Sequence, residues 1–242
     1  MPVNLFSATE RCLLCADVEQ KLEMAHRLSD DWQAGRLQCI TEASAPGPPE
    51  AGRPERPMLV PPQQLVHRRI GSPEGHAALI HAVAHIEFNA INLACDAVYR
   101  FRAMPDAYYA DWIRVAAEEA HHFSLLQQRL GQLGYAYGDF PAHSGLWDLA
   151  VRTADDPLLR MALVPRVMEA RGLDVTPGMM RRFASIGDRQ TVAVLEVILR
   201  DEVGHVEAGS RWFRYLCERR GLEPEATYFD LLERHLDSAV RC

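Results

Sequence analysis

The chain has 242 residues, 48% of them hydrophobic and 24% charged, values that suit a globular protein with room for a sizeable core. Its formal net charge of −7 argues against broad nucleic-acid binding. All basic residues but Lys21 are arginine. The opening "MPVNLFSATERCLLC" lacks a basic segment followed by an apolar run, and no stretch approaches 18 apolar residues, so a cytoplasmic chain without a membrane span is expected. Six cysteines, at 12, 15, 39, 95, 217 and 242, read as reduced thiols in a chain this long. Cys12-x-x-Cys15 has no second pair to complete a zinc site and is expected to be two helix positions.

In chain order, residues 9–37 predict a helix, with Leu14, Val18, Leu22, Ala25 and Trp32 on one side. Residues 42–62, "EASAPGPPEAGRPERPMLVPP", predict an extended strap. Helices follow over 73–102 and 106–132, then a loop, "GYAYGDFPAHSGLW". A third helix starts near 146 or 157 and runs to 171, with "GLDVTPG" as its exit. A short helix over 177–186 and a long one over 188–220 complete the set. The expected class is all-α: an N-terminal helical extension (1–41), a proline-rich strap (42–70), a four-helix bundle (71–225) and a C-terminal tail or helix (226–242).

The stretch "AEEAHHF" at 117–123 holds two overlapping Glu-x-x-His pairs. On a wheel of about 100° per residue, Glu119 and His122 lie with Trp112, Val115, Ala116, Phe123, Leu126 and Leu130. Glu118 and His121 fall with Asp111, Arg114 and Arg129, a mostly polar row. Glu202 and His205 share a stripe with Leu195, Ile198, Leu199, Val206, Gly209 and Phe213. Glu23 and His26 fail the same test, since Glu23 lines up with Glu19, Arg27 and Asp30. Two single glutamates complete the pattern. Glu87 sits among Val83, Ala84, Ala90, Ile91 and Ala94; Glu169 shares its side with Ala162 and Leu173 but also with Arg166.

The order is then Glu87, Glu119/His122, Glu169, Glu202/His205: one Glu followed by one Glu-x-x-His, twice. Four buried carboxylates must protonate or be neutralised by cations. Two divalent ions match four glutamates in charge, and hard oxygen donors with one imidazole per ion suit iron, with manganese or a mixed Fe/Mn pair as alternatives. This donor set is that of ferritin-like di-metal carboxylate bundles. An acid precedes each inward pair, which suggests that Asp201 orients His122 and Glu118 orients His205. Arg171 is a candidate partner for a site carboxylate, and His143 for the lining of an entrance. His81 and His85 point away from Glu87 on the wheel, and Tyr135 and Tyr137 are expected to pack, with a radical or substrate-side role as the alternative.

The stretches "HAVAHIEFNAINLACDAV", "EEAHHFSLLQQRLGQLGYAYGD", "LVPRVMEARGLDVTPG" and "LRDEVGHVEAGSRWF" resemble a bacterial family of ferritin-like proteins of unknown function, over residues 57–225. The family's Asp-Glu-Ala-Arg-His maps onto 118–122, where this chain has Glu118 for Asp and His121 for Arg. The resemblance implies a di-iron-type bundle and no particular substrate. It is compatible with an oxidoreductase, a hydroxylase included, acting with O2 or peroxide on a small or macromolecular substrate. It also fits a ferroxidase or other iron-handling protein, and a metal-braced helical adaptor. A homodimer is compatible with each.

Overall fold

The computed structural model describes residues 3–40, 50–66 and 68–236. Residues 42–49 of the predicted strap, residue 41 before it, and the end of the predicted tail, with Cys242, lie outside them. The chain divides into two compact units, Met1–Trp147 and Asp148–Cys242.

The N-terminal unit begins with β1 (Val3–Asn4), paired in parallel with β2 (Leu37–Gln38). Between them lie α1 (Leu5–Leu14) and α2 (Val18–Gln33). The single helix expected over 9–37 is therefore two. Asp17 interrupts it, because its carboxylate accepts the Gln20 N–H at 2.9 Å and caps a new helix, a contact worth about 1 kcal/mol. Helix α3 (Pro73–Arg100) starts on Ser72, whose hydroxyl accepts the Gly75 N–H, and Pro73 fits the first turn, where no donor is needed. Helix α4 (Asp106–Gln132) begins after Pro105 and ends before Gly134, whose φ of 80° reverses the chain. α3 packs along α4 and against α1, while α2 packs on α4. By length and composition alone α3 could cross a bilayer, but most of its apolar residues are buried inside the protein. Along the central turns of α3, from His81 to Tyr99, every position except Ala82 and Ile86 is buried, which explains its mostly apolar and small residues.

Helix α5 (Gly145–Arg152) leads into the C-terminal unit, which holds α6 (Pro157–Leu163), a π-helical turn over Val164–Glu169, α7 (Ala170–Ser185), α8 (Arg189–Arg219) and α9 (Pro224–Leu236). Pro165 accounts for the π turn. It has no N–H to give the carbonyl of Met161, and its ring pushes that carbonyl away, so the backbone widens instead of closing an ordinary turn. The break expected at "GLDVTPG" does not occur. Gly172, Pro177 and Gly178 lie within α7, whose packing along α8 outweighs their poor local propensity.

Candidate metal centre

In the N-terminal unit the inward frame is Glu119 with His122, both wholly buried, as is Glu87. His121 is exposed and Glu118 half-buried. The split follows from i,i+3 geometry: residues three apart share a face, and only one of the two overlapping frames can share it with Val115, Ala116, Phe123 and Leu126. His122 Nδ1 lies 3.3 Å from Glu87 Oε2 and 3.3 Å from Glu119 Oε2. Burial alone would push the His122 imidazole down, but the hydrogen bonds to Glu119 and Glu87 and their charges hold it up at about 11. Burial, and then the Glu119 charge, raise Glu87 well above the usual carboxylate range. The three side chains thus keep a proton between them that an unfolded chain would release.

The C-terminal unit repeats the arrangement. His205 is wholly buried, and its Nδ1 lies 3.6 Å from Glu202 Oε2, one turn earlier on α8. Glu169, the last residue of the π turn, and Glu202 are half-buried. The wheel for Glu169 was blurred by Arg166 because a wheel of about 100° per residue does not describe a π turn. Arg166 turns to Phe213 and Tyr228, its guanidinium 4.5 and 3.8 Å from their ring centroids, and Tyr228 donates to the Arg166 carbonyl at 3.2 Å. The approach of α8 to the π turn is set by Gly209, where a Cβ would stand 2.3 Å from Cβ and Cγ of Pro165.

Each half passes a test of fit for a metal ion. One ligand atom from each of Glu87, Glu119 and His122 lies within 4.8 Å of the others, and the same holds for Glu169, Glu202 and His205. Ligands at about 2.1 Å from an ion stand at most about 4.2 Å apart, so small shifts would bring each trio onto one ion. Two carboxylates and one imidazole per half suit a hard or borderline divalent ion.

The remaining predicted positions are distributed as follows. Glu118 pairs with Arg114 at 2.5 Å, and Asp201 with Arg200 at 2.9 Å. Arg171 is exposed at the start of α7. His143 is exposed, and its Nδ1 accepts the Gly145 N–H at 3.1 Å. Its carbonyl lies 3.2 Å from His85 Nε2, and His85 Nδ1 lies 2.9 Å from the Tyr137 hydroxyl. His81 Nε2 accepts the Gly138 N–H at 2.9 Å. Burial pushes His81 and His85 down to about 4, as neutral rings that staple the 135–143 loop to α3. Glu23 and His26 are exposed, and Glu23 pairs with Arg27. Sequence reasoning missed the buried meeting of Lys21, Cys12 and Asn92; the signal was a lone lysine one turn before the apolar Ala25 on α2.

A relative from Haemophilus influenzae (strain ATCC 51907 / DSM 11121 / KW20 / Rd), described as "Uncharacterized protein", is 44% identical over 243 residues, covering 96% of this chain and 84% of the relative. No solved structure matches the chain. Residues 14–242 match the family model described as "Protein of unknown function (DUF455)", and the chain belongs to that family.

Proposed function

We propose that the chain is a di-metal carboxylate protein of the ferritin-like class, with two iron ions as the cofactor and O2- or peroxide-dependent oxidation of a substrate as its activity. The observation that carries this reading is the repetition: each compact unit independently gathers one glutamate from one helix and a Glu-x-x-His from the next, with the ligand atoms within 4.8 Å of one another. In this reading Glu87, Glu119 and His122 form one half and Glu169, Glu202 and His205 the other. α3 and α4 supply the first helix pair of a four-helix bundle, and the α6–α7 segment and α8 supply the second.

When bound, the irons would supply the activation of O2 or peroxide. The residues of the chain hold the ions, exclude water and manage a proton. Phe88, Phe123, Val115 and Leu126 keep the N-terminal half dry. The proton held at His122 Nδ1 between Glu87 and Glu119 offsets part of the carboxylate charge in the metal-free protein and leaves when a cation takes its place. Glu118 and Asp201 are assigned to accept the outer N–H of ligand histidines.

Anaerobic titration of the metal-free protein with Fe2+ tests the reading, with an expected endpoint of about two equivalents per chain. Fewer than about one equivalent would overturn it. If two irons bind, exposing the reduced protein to O2 separates the activities. Continuous turnover of added Fe2+ identifies an iron-handling protein, whereas a slow reaction accelerated by a fraction of cell extract identifies a substrate oxidase.

A further inference from the structure

The last described helix of the C-terminal unit, α9, is lightly held. Gly221, with a φ of 65°, turns the chain after α8. The Glu223 carboxylate then accepts the Glu225 N–H at 3.2 Å and the Ala226 N–H at 2.6 Å, which satisfies free donors at the start of α9. Among the described residues of α9 none is fully buried. A helix held by so few buried groups belongs to the least stable part of a fold. Its Tyr228, half-buried, reaches the π turn that carries Glu169.

Backbone hydrogen bonds show what Tyr228 does there. An α-turn would send the Ala170 N–H to the carbonyl four residues earlier, that of Arg166. In the π turn that N–H goes to the carbonyls of Pro165 and Val167 instead. The Arg166 carbonyl takes a donor from outside its helix, the Tyr228 hydroxyl at 3.2 Å. The Ala170 N–H belongs to the peptide unit that joins Glu169 to Ala170. Its choice of acceptor therefore fixes the backbone from which the Glu169 side chain projects.

The Tyr228 ring acts on the same residue. The Arg166 guanidinium lies 3.8 Å from the Tyr228 centroid and 4.5 Å from that of Phe213 on α8, and the two rings are 5.8 Å apart at 73°. On a regular α-turn, residues three apart share a face, so Arg166 would stand beside Glu169 and compete with a cation for its carboxylate. Cation–π contact with two rings keeps that charge elsewhere. Hydroxyl and ring thus serve one end: an open turn whose face is left to Glu169.

Resting on the metal reading above, we propose that Tyr228 is a positioning residue for the C-terminal half-site. Its hydroxyl holds the π turn open and so presents Glu169 to Glu202 and His205, which makes α9 a latch on that half. Tyr228 acts through the backbone of the π turn and not by contact with an ion. Without the hydroxyl, the Ala170 N–H returns to the Arg166 carbonyl and the turn closes to α. Glu169 then rotates about the helix axis by up to about 100°, the angle of one residue, and leaves the trio.

The test is Tyr228→Phe in the full-length protein, which keeps both rings on Arg166 and removes only the hydroxyl. In the chelated, metal-free protein, the NMR coupling across the hydrogen bond from the Ala170 nitrogen identifies its acceptor. The expected acceptor is the Pro165 carbonyl in the wild type and the Arg166 carbonyl in the variant. Fe2+ titration of the variant should then show one equivalent at wild-type affinity and the other weakened by about 10–100-fold. Phe229→Ala, which removes the neighbouring α9 ring at a position 61% exposed, should change neither quantity. A coupling that stays on Pro165 in Tyr228→Phe would overturn the hold on the turn. A switched coupling with both equivalents at wild-type affinity would overturn the positioning of Glu169. Fewer than about one equivalent in the wild type strikes the metal reading instead, and the coupling alone then decides whether Tyr228 holds the turn.

Discussion

Gly209 and Pro165 stand closer than any side chain on α8 would allow: a Cβ at 209 would lie 2.3 Å from two ring carbons of the proline. Each lies four residues from a candidate ligand, Gly209 after His205 and Pro165 before Glu169, so the contact sits one turn from both. Gly209→Ala must push the π turn away or twist α8. The expected destabilisation is about 1–3 kcal/mol, from overpacking. At roughly 2–4 °C per kcal/mol for a chain of this size, calorimetry should show a clear fall in Tm. Fe2+ titration of the same variant should show weakened binding, whereas Gly131→Ala on α4, where a Cβ meets nothing within 4 Å, should lower neither quantity.

How much of this was legible in the sequence depends on how regular the local backbone is. Glu119 and His122 were separable from Glu118 and His121 because α4 is an unbroken α-helix, on which the spacing of Trp112, Val115, Phe123 and Leu126 fixes the buried face. Glu169 was blurred because Pro165 converts its turn to π geometry, and the companion that confused its face, Arg166, swings to Phe213 and Tyr228. The break between α1 and α2 was hidden because the apolar period continues through it; only the Asp17 cap marks it. The hydrogen bond from Lys21 to Asn92 was not legible, since it spans 71 positions and depends on how the N-terminal helices meet α3.

The proton held by His122 and its carboxylates gives the metal-free protein a distinctive pH dependence. His122 stands at about 11 in the fold against 6.5 for the free side chain, so its contribution is fully present below pH 6.5 and is lost as pH rises through about 11. Glu87 is also raised, so its contribution has the same sign: present at low pH and lost as pH rises. With a chelator present, Tm should therefore fall between about pH 6.5 and 10 by more in the wild type than in His122→Gln. Subtracting that variant removes the opposing trend from Lys21, which burial lowers. Metal loading should reverse the slope, because an ion requires the histidine neutral and the carboxylates ionised. A chelated wild type with the same slope as His122→Gln would show that no such proton is held.

Tyr137 links the loop to the roof of the N-terminal half. Its ring lies 4.9 Å from Phe123 and 5.7 Å from Phe88, and its hydroxyl is 2.9 Å from His85 Nδ1. Tyr137→Phe keeps the rings and removes one buried hydrogen bond, with an expected cost of about 1–2 kcal/mol. Tyr137→Ala also opens a cavity over the two phenylalanines and should cost about 3–5 kcal/mol. Urea unfolding with unchanged m-values would give the ratio directly. Equal costs for the two variants would mean that the hydroxyl, and not the ring, fixes the loop.

The acids beside the two pairs separate a metal role from a surface role. Glu118 is bound to Arg114 and Asp201 to Arg200, contacts at partly exposed positions worth at most about 1 kcal/mol. If these ion pairs are their only function, Glu118→Gln should change stability no more than Arg114→Ala does, and both should leave Fe2+ affinity at the wild-type value. If the carboxylates accept the outer N–H of ligand histidines, Glu118→Gln and Asp201→Asn should weaken Fe2+ binding by about 10–100-fold while Arg114→Ala and Arg200→Ala leave it intact. The isosteric amides preserve shape and one acceptor oxygen and remove the charge, so a loss of affinity with unchanged Tm would locate the effect in the basicity of the histidines. Wild-type affinity in both amide variants would remove Glu118 and Asp201 from the site and leave its six candidate ligands standing alone.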